Sequence, residues 1–112
     1  MRRDRERLRD ILDAIRRIEA RVRRRREALD DELVQVWVLH HLQIIGEASR
    51  SLSEEVKALD LEIPWSKIIA MRHILVHDYF DVDVDEVWAA VERDLPVLGQ
   101  KIEAIARGLP GP

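Results

Sequence analysis

The chain has 112 residues, of which 46% are hydrophobic and 37% charged, with only four glycines and four prolines. This is the composition of a helical protein with one modest core, small enough to need a partner to complete it. With no cysteine, disulfides and thiolate chemistry are excluded, and no apolar run approaches the length of a membrane span. The N-terminal MRRDRERLRD lacks an apolar export region, so a soluble, cytoplasmic protein is expected.

The net charge of -3 is unevenly spread: residues 1–27 carry +6 and the remainder -9. An arginine-rich first helix on an acidic body is either an electrostatic footprint for nucleic acid or a solvated helix face laced with i,i+4 pairs. Within that segment Leu8, Ile11, Leu12, Ile15, Ile18 and Val22 form one narrow stripe, which predicts an amphipathic helix over about residues 5–27. The basic run Arg23 to Arg26 falls near its C-terminal end, where cations complement the helix dipole.

Asp30 and Asp31 offer an N-cap for a second helix reaching about Ser51. LVQVWVLHHLQIIGEA is apolar around most of its circumference, so this helix is either central or shared with another subunit. Ser51 or Ser53, followed by Glu54 and Glu55, predicts a short capped third helix ending near Leu59. Pro64 suits the first turn of a fourth helix ending between His77 and Phe80. Asp83 with Glu86 starts the last helix, whose stripe runs from Val84 to Ile105 and which Pro96 should kink or split. The GLPGP tail at 108–112 has nothing to bury and is expected to be disordered. The sum is a single all-α domain over 1–107, an antiparallel bundle of four main helices plus a short one.

A bundle has no intrinsic function, so the chemistry must come from particular residues. In WSKIIAMRHILVHDYF, residues 65–80, the apolar positions account for a helix but not for Arg72, His77 and Tyr79. Arg72 falls within the apolar face, where an arginine must be paired or must face a cleft. An Arg with a His five positions later is a weak signal in a chain with 16 Arg and 4 His, and the Tyr two residues on makes it more specific. On a regular helix i and i+5 lie about 140° apart, so Arg72 and His77 converge only if the helix loosens or if two copies meet across a twofold axis. Two Arg and two His in one cleft would suit RNA cleavage without a metal. One imidazole takes the ribose 2′-hydroxyl proton, the other protonates the leaving 5′-oxygen, and the guanidinium groups steady the phosphoryl oxygens.

Other readings stand beside this one. In a purely structural alternative Arg72 pairs with Glu47 and His77 caps carbonyls at the helix end. His73 and His77 share the i,i+4 spacing of zinc ligands, with Asp78, Asp81 or His40 as a third, although the H-E-x-x-H glutamate is missing. DVDVDE at 81–86, with Glu92, imitates a calcium loop, but Glu86 stands where the turn needs Gly, which favours an acidic helix start. His40 and Glu47, seven apart on one helix face, line the cleft or pair inside the bundle, and Glu47 is the candidate to orient Arg72.

IIGEAS at 44–49, IPWSKIIAMRHILVHDYF at 63–80 and VWAAVERDLPVL at 87–98 resemble, in order and spacing, the HepT-like members of the HEPN superfamily. Those are the toxin halves of HEPN/minimal-nucleotidyltransferase pairs. The resemblance covers about residues 30–106 and implies an all-α homodimer. It places a metal-independent endoribonuclease site at the dimer interface, built from Arg72 and His77, with RNA as substrate and no cofactor. It also implies that a partner nucleotidyltransferase antitoxin silences the toxin by attaching AMP to Tyr79, placing phosphate charge beside the arginines. His73 stands where the family more often has Asn, and could share the acid/base role. His40 and His41 occupy positions that are more often Arg or another polar residue. The non-enzyme alternative is a helical module that binds a nucleotidyltransferase or nucleotide and cuts nothing.

Overall fold

A computed structural model describes residues 2–77 and 83–109, with the backbone alone at Arg2, Met71 and residues 73–77. Among the described residues every regular element is helical. The first helix, α1 (Arg2–Val22), buries Leu8, Ile11, Ile15, Ile18 and Val22, with Leu12 partly covered beside them. It ends five residues before the boundary expected from the arginine run. Arg23 and Arg24 adopt the left-handed conformation, with φ of 48° and 59°. Residues Arg26–Asp30 then form a 3-10 turn that buries Leu29 completely.

The stripe explains the early stop. After Val22 the next apolar side chain is Ala28, so continuing the helix would carry charged residues past the core while Leu29 stayed outside. Reversing the chain at Arg23 and Arg24 brings Leu29 in, at a conformational cost of about 1–2 kcal/mol per non-glycine residue.

The second helix, α2 (Glu32–Ser51), starts at Asp31, whose side chain accepts from the Leu33 N–H at 2.8 Å. Val38, Leu39, Leu42, Ile45 and Ala48 enter the core, and α2 is central, packed between α1 and the fourth helix. Leu33 and Val36 nevertheless face solvent, 78% and 39% exposed.

Two contacts tie the far end of the bundle. The short α3 (Glu54–Lys57) is capped by Ser53, whose backbone N–H and hydroxyl both donate to the buried Asp4 carboxylate of α1, at 2.8 and 2.9 Å. The fourth helix, α4 (Trp65–His77), opens with Trp65, whose indole Nε1–H donates to the Lys57 carbonyl at 2.9 Å. These contacts place the start of α4 beside the end of α2, so the two run antiparallel.

The last segment is divided into α5 (Val84–Ala89), a π-turn over Ala90–Asp94, and α6 (Leu95–Gly108). Pro96 splits the helix rather than only bending it. Proline has no N–H to donate and its ring would clash with the carbonyl four residues back, at Glu92; the wider π-turn removes that clash and lets Pro96 sit in the first turn of α6. The tail boundary shifts as well. Gly108 is still helical and Leu109 is buried against the core, 9% exposed, because the last turn of α6 delivers one more apolar residue to the bundle. The architecture is the expected antiparallel one, with α1, α2, α4 and the α5–α6 pair as main helices and α3 as the short element. No described helix is long and apolar enough to cross a membrane.

Candidate active site

The site is built where α2 and α4 press together. Gly46 of α2 lies against α4 so closely that a Cβ placed on it would come 3.1 Å from Arg72 Cβ, 3.2 Å from the Ile68 carbonyl oxygen and 3.3 Å from the Arg72 nitrogen. Such distances are tighter than ordinary side-chain contacts, so only glycine permits this approach without displacement. The tight seam carries Arg72 to the rim of the core, with its side chain 25% exposed.

Arg72 is therefore both paired and accessible. Its Nη1 donates to Glu47 Oε2, and Arg50 Nη1 donates to Glu47 Oε1 at 3.3 Å. The hydrogen bond from Arg72 holds the Glu47 carboxyl below its ordinary value; partial burial opposes this, and the charges of Arg72 and Arg50 add to it. Glu47 is accordingly ionised at neutral pH. Glu47 thus joins two guanidinium groups, Arg72 and Arg50, beside the seam, and guanidinium is the group that matches phosphodiester oxygens.

The backbone of α4 continues as α-helix through positions 73 and 77, while the side chains of His73 and His77 lie outside the described residues. Asp78, Tyr79 and Asp81 also lie outside them. The two central histidines of α2 have different environments. His41 is buried, its Nδ1–H donating to the Trp37 carbonyl at 2.7 Å and its ring centroid 4.0 Å from that of Trp37. His40 is exposed, two turns from Glu47 along α2. Among the described residues no three potential ligands gather as a metal site. Asp83, part of the calcium-like run, accepts from the Asp85 and Glu86 N–H groups at 3.0 and 3.2 Å and so caps α5.

Sequence reasoning assigned no role to two residues here. Gly46 sets the seam, and a helical glycine reveals nothing until its neighbour is known. Arg50 shares Glu47 with Arg72, and its only sequence signal was the i,i+3 spacing from Glu47.

A family model described as "Ribonuclease HepT-like" matches residues 11–105. The chain is similar to a protein of Thermococcus cleftensis named "Probable ribonuclease HepT", 40% identical over 102 residues that cover 89% of this chain and 93% of the relative. It is also similar to "Putative RNase MJ1380" of Methanocaldococcus jannaschii, 30% identical over 79 residues covering 70% of this chain and 72% of the relative. A third relative, "Gamma-glutamylcyclotransferase and putative RNase MJ0434" of the same organism, is 35% identical over 106 residues, 91% of this chain but 47% of that longer protein. No solved structure matches the chain. The match spans α2, α4 and α5–α6, the helices that make the seam and carry the R-x4-H positions, and the chain belongs to the HepT-like ribonucleases of the HEPN superfamily.

Proposed function

We propose that this ribonuclease acts as a homodimer whose composite site takes Arg72 and His77 from each of two chains and cuts RNA internally without a metal. The supporting observation is the placement of Arg72. Glu47 holds it at the α2–α4 seam, still partly exposed, and α4 runs on as regular helix to position 77. An unbroken helix separates positions 72 and 77 by about 140° around its axis, so one chain does not bring both onto one face. A second copy across a twofold axis supplies what a single helix withholds.

The chemistry then needs two proton transfers. One imidazole accepts the proton of the ribose 2′-hydroxyl as that oxygen attacks phosphorus, and the other protonates the 5′-oxygen as its bond to phosphorus breaks. The products are a 2′,3′-cyclic phosphate and a 5′-hydroxyl. Arg72 from each chain stabilises the charge that develops on the phosphoryl oxygens, and Glu47 limits the rotamers open to that arginine. His73 assists His77.

Within the cell this activity makes the chain the toxin of a toxin–antitoxin pair. A partner minimal nucleotidyltransferase attaches AMP to Tyr79, two residues beyond His77. The added phosphate carries negative charge to the arginines and repels an anionic substrate.

The deciding experiment incubates purified protein with mixed single-stranded RNAs in excess EDTA and follows cyclic-phosphate ends. Wild type should cut, while His77→Ala should be inactive yet folded and of unchanged mass by light scattering. A wild-type protein that is monomeric, or that cuts only with added divalent metal, would refute the reading.

A further inference from the structure

A second concave site lies away from Arg72. It is a cleft of about 750 Å³ between the end of α1 and the α5–α6 segment, lined by Glu19, Arg23, Arg24, Trp88, Glu92 and Pro96 among others. The antiparallel packing puts it at the end of the bundle toward which α4 carries position 77: Arg26, just after Arg23 and Arg24, pairs with Asp85 at the start of α5.

Two features point to a nucleotide. Arg23 and Arg24, whose left-handed backbone turns the chain back toward the core, both line the cleft and bring two guanidinium-bearing side chains to it. Trp88 is only half-buried and lines the same cleft as those arginines, giving a ring on which a base can stack, with Pro96 as a second apolar surface. Glu19 and Glu92 only accept hydrogen bonds when ionised, so they fit a base edge that presents N–H donors, while the guanidinium groups fit phosphate. The volume is within the range of small-molecule pockets.

We propose that this cleft is a subsite for one nucleotide of the RNA strand flanking the scissile bond, with the base on Trp88 and the phosphate on Arg23 and Arg24. The assignment rests on the ribonuclease reading, since the strand is the enzyme's own substrate. The subsite positions the strand and takes no part in proton transfer. It also gives the arginine-rich end of α1 a specific task, which a merely solvated helix face would not have.

The test uses the full chain and a 2′-O-methyl single-stranded RNA of about ten nucleotides, which binds but cannot be cut, so binding is read even if no cleavage is ever found. Trp88→Ala and the double variant Arg23→Gly/Arg24→Gly should each weaken binding roughly tenfold in fluorescence anisotropy. The double variant should also lower the salt dependence of binding by about 1.4, the loss of two phosphate contacts. Glycine accepts the left-handed conformation, so that variant should keep its Tm, which separates lost guanidinium groups from lost folding. The oligonucleotide should quench tryptophan fluorescence in wild type and much less in Trp88→Phe. Binding and salt dependence unchanged in both variants would overturn the proposal. So would a mononucleotide such as 5′-GMP saturating the cleft at micromolar concentration while the oligonucleotide does not, since the site would then serve a free nucleotide. Failure of the ribonuclease reading shows separately, as wild-type protein that binds the oligonucleotide but cuts no RNA.

Discussion

Gly46 and Arg72 meet across the α2–α4 seam with so little room that a Cβ on the glycine would lie 3.1 Å from the Cβ of the arginine. The consequence is positional: the missing side chain sets how far Arg72 stands from α2, and so whether Glu47, the next residue along, can reach it. The Glu47–Arg72 pair and the helix contact are one arrangement.

Gly46→Ala should push α4 away from α2 by a few tenths of an ångström, since two of the three close atoms belong to the α4 backbone. Overpacking of this kind costs about 1–3 kcal/mol, visible as a lower Tm. RNA cleavage should fall further than stability does, because the displaced element carries both Arg72 and position 77. A variant with wild-type Tm and turnover would show that the seam has slack.

Arg72→Ala should reduce kcat by about 10²–10³-fold, the range for losing one preorganised stabiliser of transition-state charge. Glu47→Gln keeps the shape and removes the charge, so its effect should be smaller and should shrink as ionic strength rises, because salt already screens the half-exposed pair in wild type. Circular dichroism should report intact helices in both, since Glu47 is half-exposed and surface ion pairs contribute little to folding. Equal loss of kcat in the two variants would mean that Glu47 does more than position its partner.

The depressed pKa of Glu47 sets a pH dependence. Its folded-state value lies below the ordinary 4.5, so the pair's contribution to stability is complete above that pH and is lost as the pH falls through the lower, folded value. The Tm difference between wild type and Glu47→Gln should thus be constant from neutral pH to about 5 and shrink below 4.5. Parallel thermal melts across that range measure it, and a difference that widened on acidification would contradict the assignment.

Asp4 accepts two hydrogen bonds from Ser53 while 6% exposed, tying the start of α1 to the cap of α3. Asp4→Ala should lower stability by about 1–3 kcal/mol, since it leaves two shielded donors unsatisfied. Ser53→Ala should cost a similar amount: the backbone N–H of that residue still reaches Asp4, but the hydroxyl that bonds Asp4 and caps α3 through the Val56 N–H is lost. Chemical denaturation of the two variants compares them directly.

Most of the helices were legible because a buried face imposes its period wherever it occurs. The stripe of α1, the Asp31 and Asp83 caps and the division at Pro96 all follow from local rules. Boundaries governed by distant partners were not legible. Nothing near Arg23 announces that Leu29 must reach the core, and nothing in GLP shows that Leu109 finds a place there. At the site, R-x4-H-x-Y is a local pattern and could be read as it stood, and the spacing of three motifs carried the family resemblance.

Residue order alone decided the helical class, the positions of the apolar faces and the identity of the candidate catalytic groups, because each depends on neighbours within a few turns. Folding in three dimensions brought Arg72 onto Glu47, the carboxylate the sequence had offered for it, placed a glycine opposite that arginine, and set Arg23, Arg24 and Trp88 around one cleft. Those facts involve residues some 25 to 65 positions apart, and their juxtaposition comes from how whole helices pack, which no local pattern encodes.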